Sequence, residues 1–187
     1  MKLLPIHEIG LLNAWWFSLL YFIISFIMLG IMPKDRRQRI LKFPKFESKM
    51  EKLISGVALI IFSRGLIVYT IFIPIKISSI TTIIGVMIYF TGMLSSVYSM
   101  WLFSKEDLDK PVTGGVFKIS RHPMQVMSIV MWIGVGIASM NWIVIAAAIL
   151  LAFFSYPSFI AQEKFCIDKY GQSYIEYMKK TRRYIFF

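Results

Sequence analysis

Five long apolar stretches constrain this chain more than anything else in its sequence: Ile9 to Met32, Leu53 to Ile77, Ser79 to Phe103, Pro123 to Met140 and Asn141 to Ile160. A hydrocarbon core of about 30 Å asks roughly 17 to 25 apolar residues of a helix that crosses it, and each stretch is of that order. The chain is 57% hydrophobic and only 17% charged, whereas soluble domains run to roughly half and a quarter. The expected fold is therefore an all-α, polytopic membrane bundle of five transmembrane helices. No hydrophilic stretch between the five exceeds about twenty residues, too few for a separate soluble domain. Residues 1–187 read as a single membrane domain, and any function lives in the bundle, its loops and its tail. The first stretch is too long for a signal-peptide core and lacks a small-residue cleavage pattern, so it is expected to remain in the mature protein.

The formal charge of +11 invites a nucleic-acid reading, but the basic residues sit in short segments between apolar stretches rather than on a soluble face. Of the 21 Lys and Arg, 18 fall in Pro33 to Lys52, Ser104 to Arg121 and Ala161 to Phe187. By the positive-inside rule these segments are cytosolic and the amino terminus is outside. The loop Pro33 to Lys52 mixes basic and aromatic residues, a composition suited to anionic lipid at roughly 1 kcal/mol per basic residue. Trp15 and Trp16 suit an interfacial anchor. The tail after Ile160 repeats aromatic residues every three to five positions through Tyr170, Tyr174 and Tyr177, as in a cytosolic amphipathic helix against a membrane or a bundle, with Gly171 a possible interruption.

Some polar and small residues inside the stretches stand out. Arg64 lies near the middle of the second stretch, where an arginine costs several kcal/mol. Anionic-substrate binding, a bond to helix carbonyls and snorkelling all remain open for it. Gly85, Gly92, Ser95, Ser96 and Ser99 form a small-residue stripe that permits close helix approach. Pro157 is expected to kink the fifth stretch, either as a gate or to aim the tail. Cys166 is the single cysteine and reads as a small buried or interfacial side chain.

The segment Ile119-Ser-Arg-His-Pro-Met124 marks the change from charged to apolar. Proline favours the first turn of a helix and pushes the residue before it into extended geometry, so Pro123 begins the fourth helix. Arg121 and His122 then stand at a helix amino terminus, where free N–H groups and the dipole favour an anion. Only Ser139-Met-Asn-Trp142 joins the last two stretches, which forces an antiparallel hairpin. Residues facing each other across it place Arg121 opposite Ile160, so Glu163 is offset by only about 4 to 5 Å. Arg121, His122 and Glu163 can thus share one pocket, beside a loop whose Gly114 and Gly115 allow backbone to approach a ligand.

The run T-G-G-V-F-K-I-S-R-H-P-M, followed by a hairpin, Q-E and Y-G-Q-S-Y-I-E-Y-M-K-K-T-R-R, resembles the integral membrane methyltransferases, which include isoprenylcysteine carboxyl methyltransferase and the phospholipid methyltransferases. The resemblance lies in Lys110 to Arg183 and implies S-adenosylmethionine as cofactor, bound at the cytosolic helix ends, and a lipid-like substrate arriving from the bilayer. By position it implies a cofactor site of Val112, Gly115, Phe117, Arg121, His122 and Glu163, with Arg121, Glu163 and Arg183 as catalytic candidates and no metal. Two positions depart from the family pattern: Gln125 where tyrosine is frequent, and Gln162 where a second acid stands.

Methyl transfer from a sulfonium asks mainly for alignment of a nucleophile. A carboxylate acceptor needs no base and suits a cation such as Arg183. An amine must lose a proton, and His122 is the local group that titrates near neutrality. Two other readings remain: an NADPH-dependent membrane reductase of steroid-reductase type, and a non-enzymatic scaffold or transporter. For transport the polar cluster lies at one face rather than the midplane.

Overall fold

Residues 7–41, 46–75 and 79–184 are described by the computed structural model, and within them helix follows helix. In order these are α1 (Trp15–Ile31), α2 (Lys34–Leu41), α3 (Lys49–Val57), a π-helical turn (Ala58–Arg64), α4 (Gly65–Tyr69), a 3-10 turn (Thr70–Phe72), α5 (Ile80–Lys105), a second 3-10 turn (Gly115–Lys118), α6 (Pro123–Ala138), α7 (Trp142–Phe154), α8 (Tyr156–Tyr170) and α9 (Gln172–Lys180). The extended pairing among the described residues is an isolated bridge between Asn13 and Pro74.

Among the described residues three helical segments are long and apolar enough to cross a membrane: Lys49–Phe72, Ile80–Lys105 and Trp142–Tyr170. The first and fourth apolar stretches yield shorter helices, of 17 and 16 residues, or about 24 to 26 Å. Their missing length has local causes. Before Trp15 the backbone is drawn into the bridge: Ala14 N–H donates to Ile73 O at 2.8 Å and Ile75 N–H to Leu12 O at 3.0 Å. The Asn13 amide donates to Glu8 O and Ile71 O. In α6, Pro123 sets the start and the turn through Met140, at φ 50°, sets the end. Asn141 then caps α7, its side-chain oxygen accepting from Ile143 N–H and Val144 N–H.

The outer surface carries large apolar side chains, among them Phe26, Ile31 and Phe153, each more than two-thirds exposed. In water such a surface would be an aggregation hazard; against lipid tails it is the solvated face. With no hydrophobic drive between helices in lipid, close packing must hold them together. Glycine provides it between α5 and α6. A Cβ at Gly85 would lie 2.2 Å from Ala138 N, one at Gly92 2.6 Å from Met131 N, and one at Gly134 2.4 Å from Tyr89 N. Ser96 adds a hydrogen bond to Met124 O at 3.3 Å. The small-residue stripe is thus a helix contact.

The expected disturbance near Pro157 is a break at Ser155 that divides α7 from α8. Proline has no N–H to give the carbonyl four residues back, here Phe153, and its ring displaces that carbonyl. Gly171, at φ 58°, ends α8 and starts α9. The tail does not simply lie on a membrane: Tyr174 and Tyr177 are buried against Val112 and Phe117. Arg64 closes the π-helical turn and is exposed.

Candidate functional site

The start of α6 and the end of the chain meet through backbone bonds. His122 has φ −125° and ψ 52°, outside the helical region that the following proline disfavours, though short of the fully extended geometry expected of it. Its N–H donates to Ser120 Oγ at 3.1 Å, and that hydroxyl donates to Arg183 O at 2.7 Å. Arg121 N–H donates to Arg182 O at 2.9 Å. The tail is thereby laid across the mouth of α6.

The hairpin brings α8 to the same depth, and Glu163 is the centre of what results. Its side chain is buried. Arg183 grips it with a two-point fork, Nε to Oε1 at 2.9 Å and Nη2 to Oε2 at 2.7 Å, the geometry that makes arginine–carboxylate pairs strong. His122 Nε2 lies 3.1 Å from Oε1. Arg121 Nε lies 3.2 Å from the same oxygen as an ion pair, yet it is buried without an aligned hydrogen bond. Since an ionised carboxylate only accepts, His122 carries its proton on Nε2.

Two arginines against one carboxylate leave a surplus of one positive charge. His122 does not add to it, because burial pushes its pKa below the ordinary imidazole value, and the bond to Glu163 only partly offsets that. Its ring also stacks on Phe159 at 4.5 Å between centroids. The sign of the pH effect follows. With the folded pKa depressed, the unfolded chain binds more protons below about pH 6.5, so stability falls as pH drops through that value. His122→Gln is expected to blunt this acid-side loss, measured as melting temperature between pH 5 and 8.

Beside the cluster lies a cavity of about 190 Å³ whose wall includes Val112, Phe117, Arg121, His122, Tyr174 and Tyr177. Burial pushes both tyrosine phenols above their usual range, and Tyr177 donates to Phe117 O at 2.6 Å, fastening α9 to the loop. Of the residues expected from sequence, Val112, Phe117, Arg121 and His122 line this cavity, whereas Glu163 and Arg183 stand behind its wall. Gly115 is also off the wall; its φ of 55° turns the loop there.

Sequence reasoning missed Arg39, which looked like one more basic residue in a lipid-facing run. It lines the cavity, donates to Asp107 O at 3.1 Å, Lys110 O at 2.8 Å and Tyr170 Oη at 2.6 Å, and sits 4.4 Å from the Phe103 ring centroid. No spacing in the sequence links positions 39 and 110. Arg39→Ala is expected to speed hydrogen exchange in the 107–110 loop about tenfold or more, as charged hydrogen bonds of about 1.5 to 3 kcal/mol are lost.

A second, larger cavity of about 1050 Å³ lies among α1, α3, the π-helical turn, α6, α7 and α8. Trp132, Phe159 and Leu151 form part of its wall, and Lys49 and Lys52 also line it. Ser55 Oγ, on its wall, is buried without a partner. This cavity was not foreseen, because its wall draws single residues from segments spread over most of the chain.

None of the curated proteins compared with the chain matches it. The family model for phospholipid methyltransferase, however, matches residues 52–173. That match begins well before Lys110, where the resemblance was first legible, and it contains the α6 to α8 hairpin, His122 and Glu163. It covers well over half of the sequence, and the chain belongs to the phospholipid methyltransferase family, whose members are membrane proteins that transfer methyl groups to lipid-type acceptors.

Proposed function

We propose that the protein transfers the methyl group of S-adenosylmethionine to a hydrophobic or lipid-linked acceptor. On this reading five helices cross the membrane, α1 and α6 included, with the amino terminus outside. The site then faces the cytosol. The observation that carries the proposal is the surplus positive charge of the Glu163 cluster facing an aromatic-walled cavity. The distribution of basic residues carries the topology.

The residues of the smaller cavity fit this cofactor chemically. Arg121, with its buried and unaligned Nε, offers a cation to an amino-acid carboxylate. Phe117, Tyr174 and Tyr177 offer faces to a purine or a sulfonium. In size the cavity is below the roughly 300 Å³ of small-molecule sites, so binding must widen it. When bound, the cofactor supplies an activated methyl group. The chain supplies the rest: Arg121 and His122 line the donor side, and Glu163 with Arg183 fixes both, which makes the latter two positioning residues.

The test is a cofactor screen on purified protein by calorimetry. S-adenosylhomocysteine is expected to bind more tightly than NADPH; the opposite order supports a reductase and defeats the proposal.

A further inference from the structure

At about 190 Å³ the smaller cavity must widen to take the proposed cofactor, and its walls are not equally held. Glycine contacts lock α5 to α6, the Glu163 cluster holds the α8 side, and the Tyr177 bond to Phe117 O fastens α9. The remaining wall is α2, which brings Arg39 and Ile40 to the cavity and has no buried residue of its own. An element with few buried contacts belongs to the low end of local stability.

Among the described residues, Arg39 supplies the side-chain hydrogen bonds that tie α2 to other elements. They run to Asp107 O and Lys110 O in the loop after α5, and to Tyr170 Oη at the end of α8. The guanidinium also lies over the Phe103 ring of α5. Phe103 and Tyr170 both line the cavity, so one side chain joins two of its walls. Arg36, one turn earlier on α2, has a buried Nη1 without a hydrogen-bond partner. An unmet buried donor is costly, and lifting α2 into water relieves it, so Arg39 holds the helix down against an opposing cost.

We propose that α2 is a movable cover of the donor cavity and that Arg39 is its pin, released to admit S-adenosylmethionine and reseated once the cofactor is inside. This rests on the methyl-transfer reading above. Arg39 is a positioning residue here, because its N–H groups are turned to carbonyls and a phenol of the walls. The whole of α2 precedes residues 52–173, the part matched by the family model. The cover has a kinetic signature. Only the open fraction accepts ligand, so a closed cover slows entry as well as exit. Loss of the pin therefore raises both rates, whereas loss of a simple wall contact raises exit alone.

The test uses full-length protein in detergent and radiolabelled S-adenosylhomocysteine, with association and dissociation followed by rapid filtration. Arg39→Ala is expected to raise the dissociation rate about tenfold or more, the effect of losing at least one charged hydrogen bond, and the association rate about threefold or more. Lys34→Ala, which removes an exposed basic residue from the same helix, is expected to change either rate less than about twofold. A measurement on wild type alone stands in should Arg39→Ala not fold: saturating S-adenosylhomocysteine is expected to slow amide exchange in α2 about tenfold or more. Unchanged rates in Arg39→Ala, faster dissociation with unchanged association, equal effects of the two substitutions, or α2 exchange that the ligand leaves unaltered overturn the inference and leave the cofactor site standing. Absence of S-adenosylhomocysteine binding by folded wild type overturns the methyl-transfer reading itself, and the cover with it.

Discussion

Glu163→Ala is expected to yield protein that is strongly destabilised and does not bind S-adenosylhomocysteine. The carboxylate is buried and is the shared partner of Arg121, His122 and Arg183. Removing it leaves two guanidinium groups close together without a counter-ion. Breaking a buried ion pair from one side costs about 3 to 5 kcal/mol, a large share of a typical domain stability of about 5 to 15 kcal/mol. The damage extends beyond the cluster, because the Arg183 backbone accepts from Ser120 and so helps hold the segment before α6. Glu163→Gln, of nearly the same shape, separates charge from packing: it keeps acceptor capacity but loses the negative charge. A thermal-shift measurement should rank wild type above Glu163→Gln and Glu163→Ala lowest. Equal melting temperatures for all three would mean that the cluster does not hold the site together.

Gly134→Leu is expected to separate α5 from α6 and to abolish accumulation of folded protein. A Cβ at Gly134 would lie 2.4 Å from Tyr89 N and 2.8 Å from Gly85 O, and backbone atoms cannot rotate away as a side chain can. Overpacking of ordinary cores costs about 1 to 3 kcal/mol and occasionally more, and contact with backbone on a facing helix belongs at or above that upper end. Gly30→Leu is the control, because a Cβ there meets nothing within 4 Å. Size-exclusion profiles of the two variants in detergent should show a monodisperse peak for Gly30→Leu and aggregate for Gly134→Leu. A normal profile for Gly134→Leu would show that the close contact of these helices is dispensable.

What the sequence made legible was whatever is written in local spacing. Pro123 marks the start of α6, the four-residue turn at Asn141 forces the hairpin, and the equal arms of that hairpin bring Glu163 to His122. The glycines of the α5 stripe were readable for the same reason, as helical periodicity places them on one face. Helix length was less legible, because hydropathy does not register tertiary bonds that unwind an end. Residues 9 to 14 are as apolar as a helix requires, yet the bridge between Asn13 and Pro74 takes their backbone. The remaining gaps have one cause. Arg39 and the larger cavity depend on contacts between segments far apart in the chain, and no periodic pattern encodes them. Glu163 shows the intermediate case: its neighbours were readable, but not that it stands behind the wall instead of on it.

The cavity beside the Glu163 cluster is proposed to hold S-adenosylmethionine. Calorimetric titration of S-adenosylhomocysteine into wild type, His122→Ala and Arg121→Ala tests it most directly, since these two residues line the cavity. Wild type is expected to bind saturably and one to one, and both variants with affinity weakened about tenfold or more, through a lost charge-assisted contact or a disturbed wall. Absence of binding by folded wild-type protein at millimolar ligand, or unchanged affinity in both variants, would contradict it.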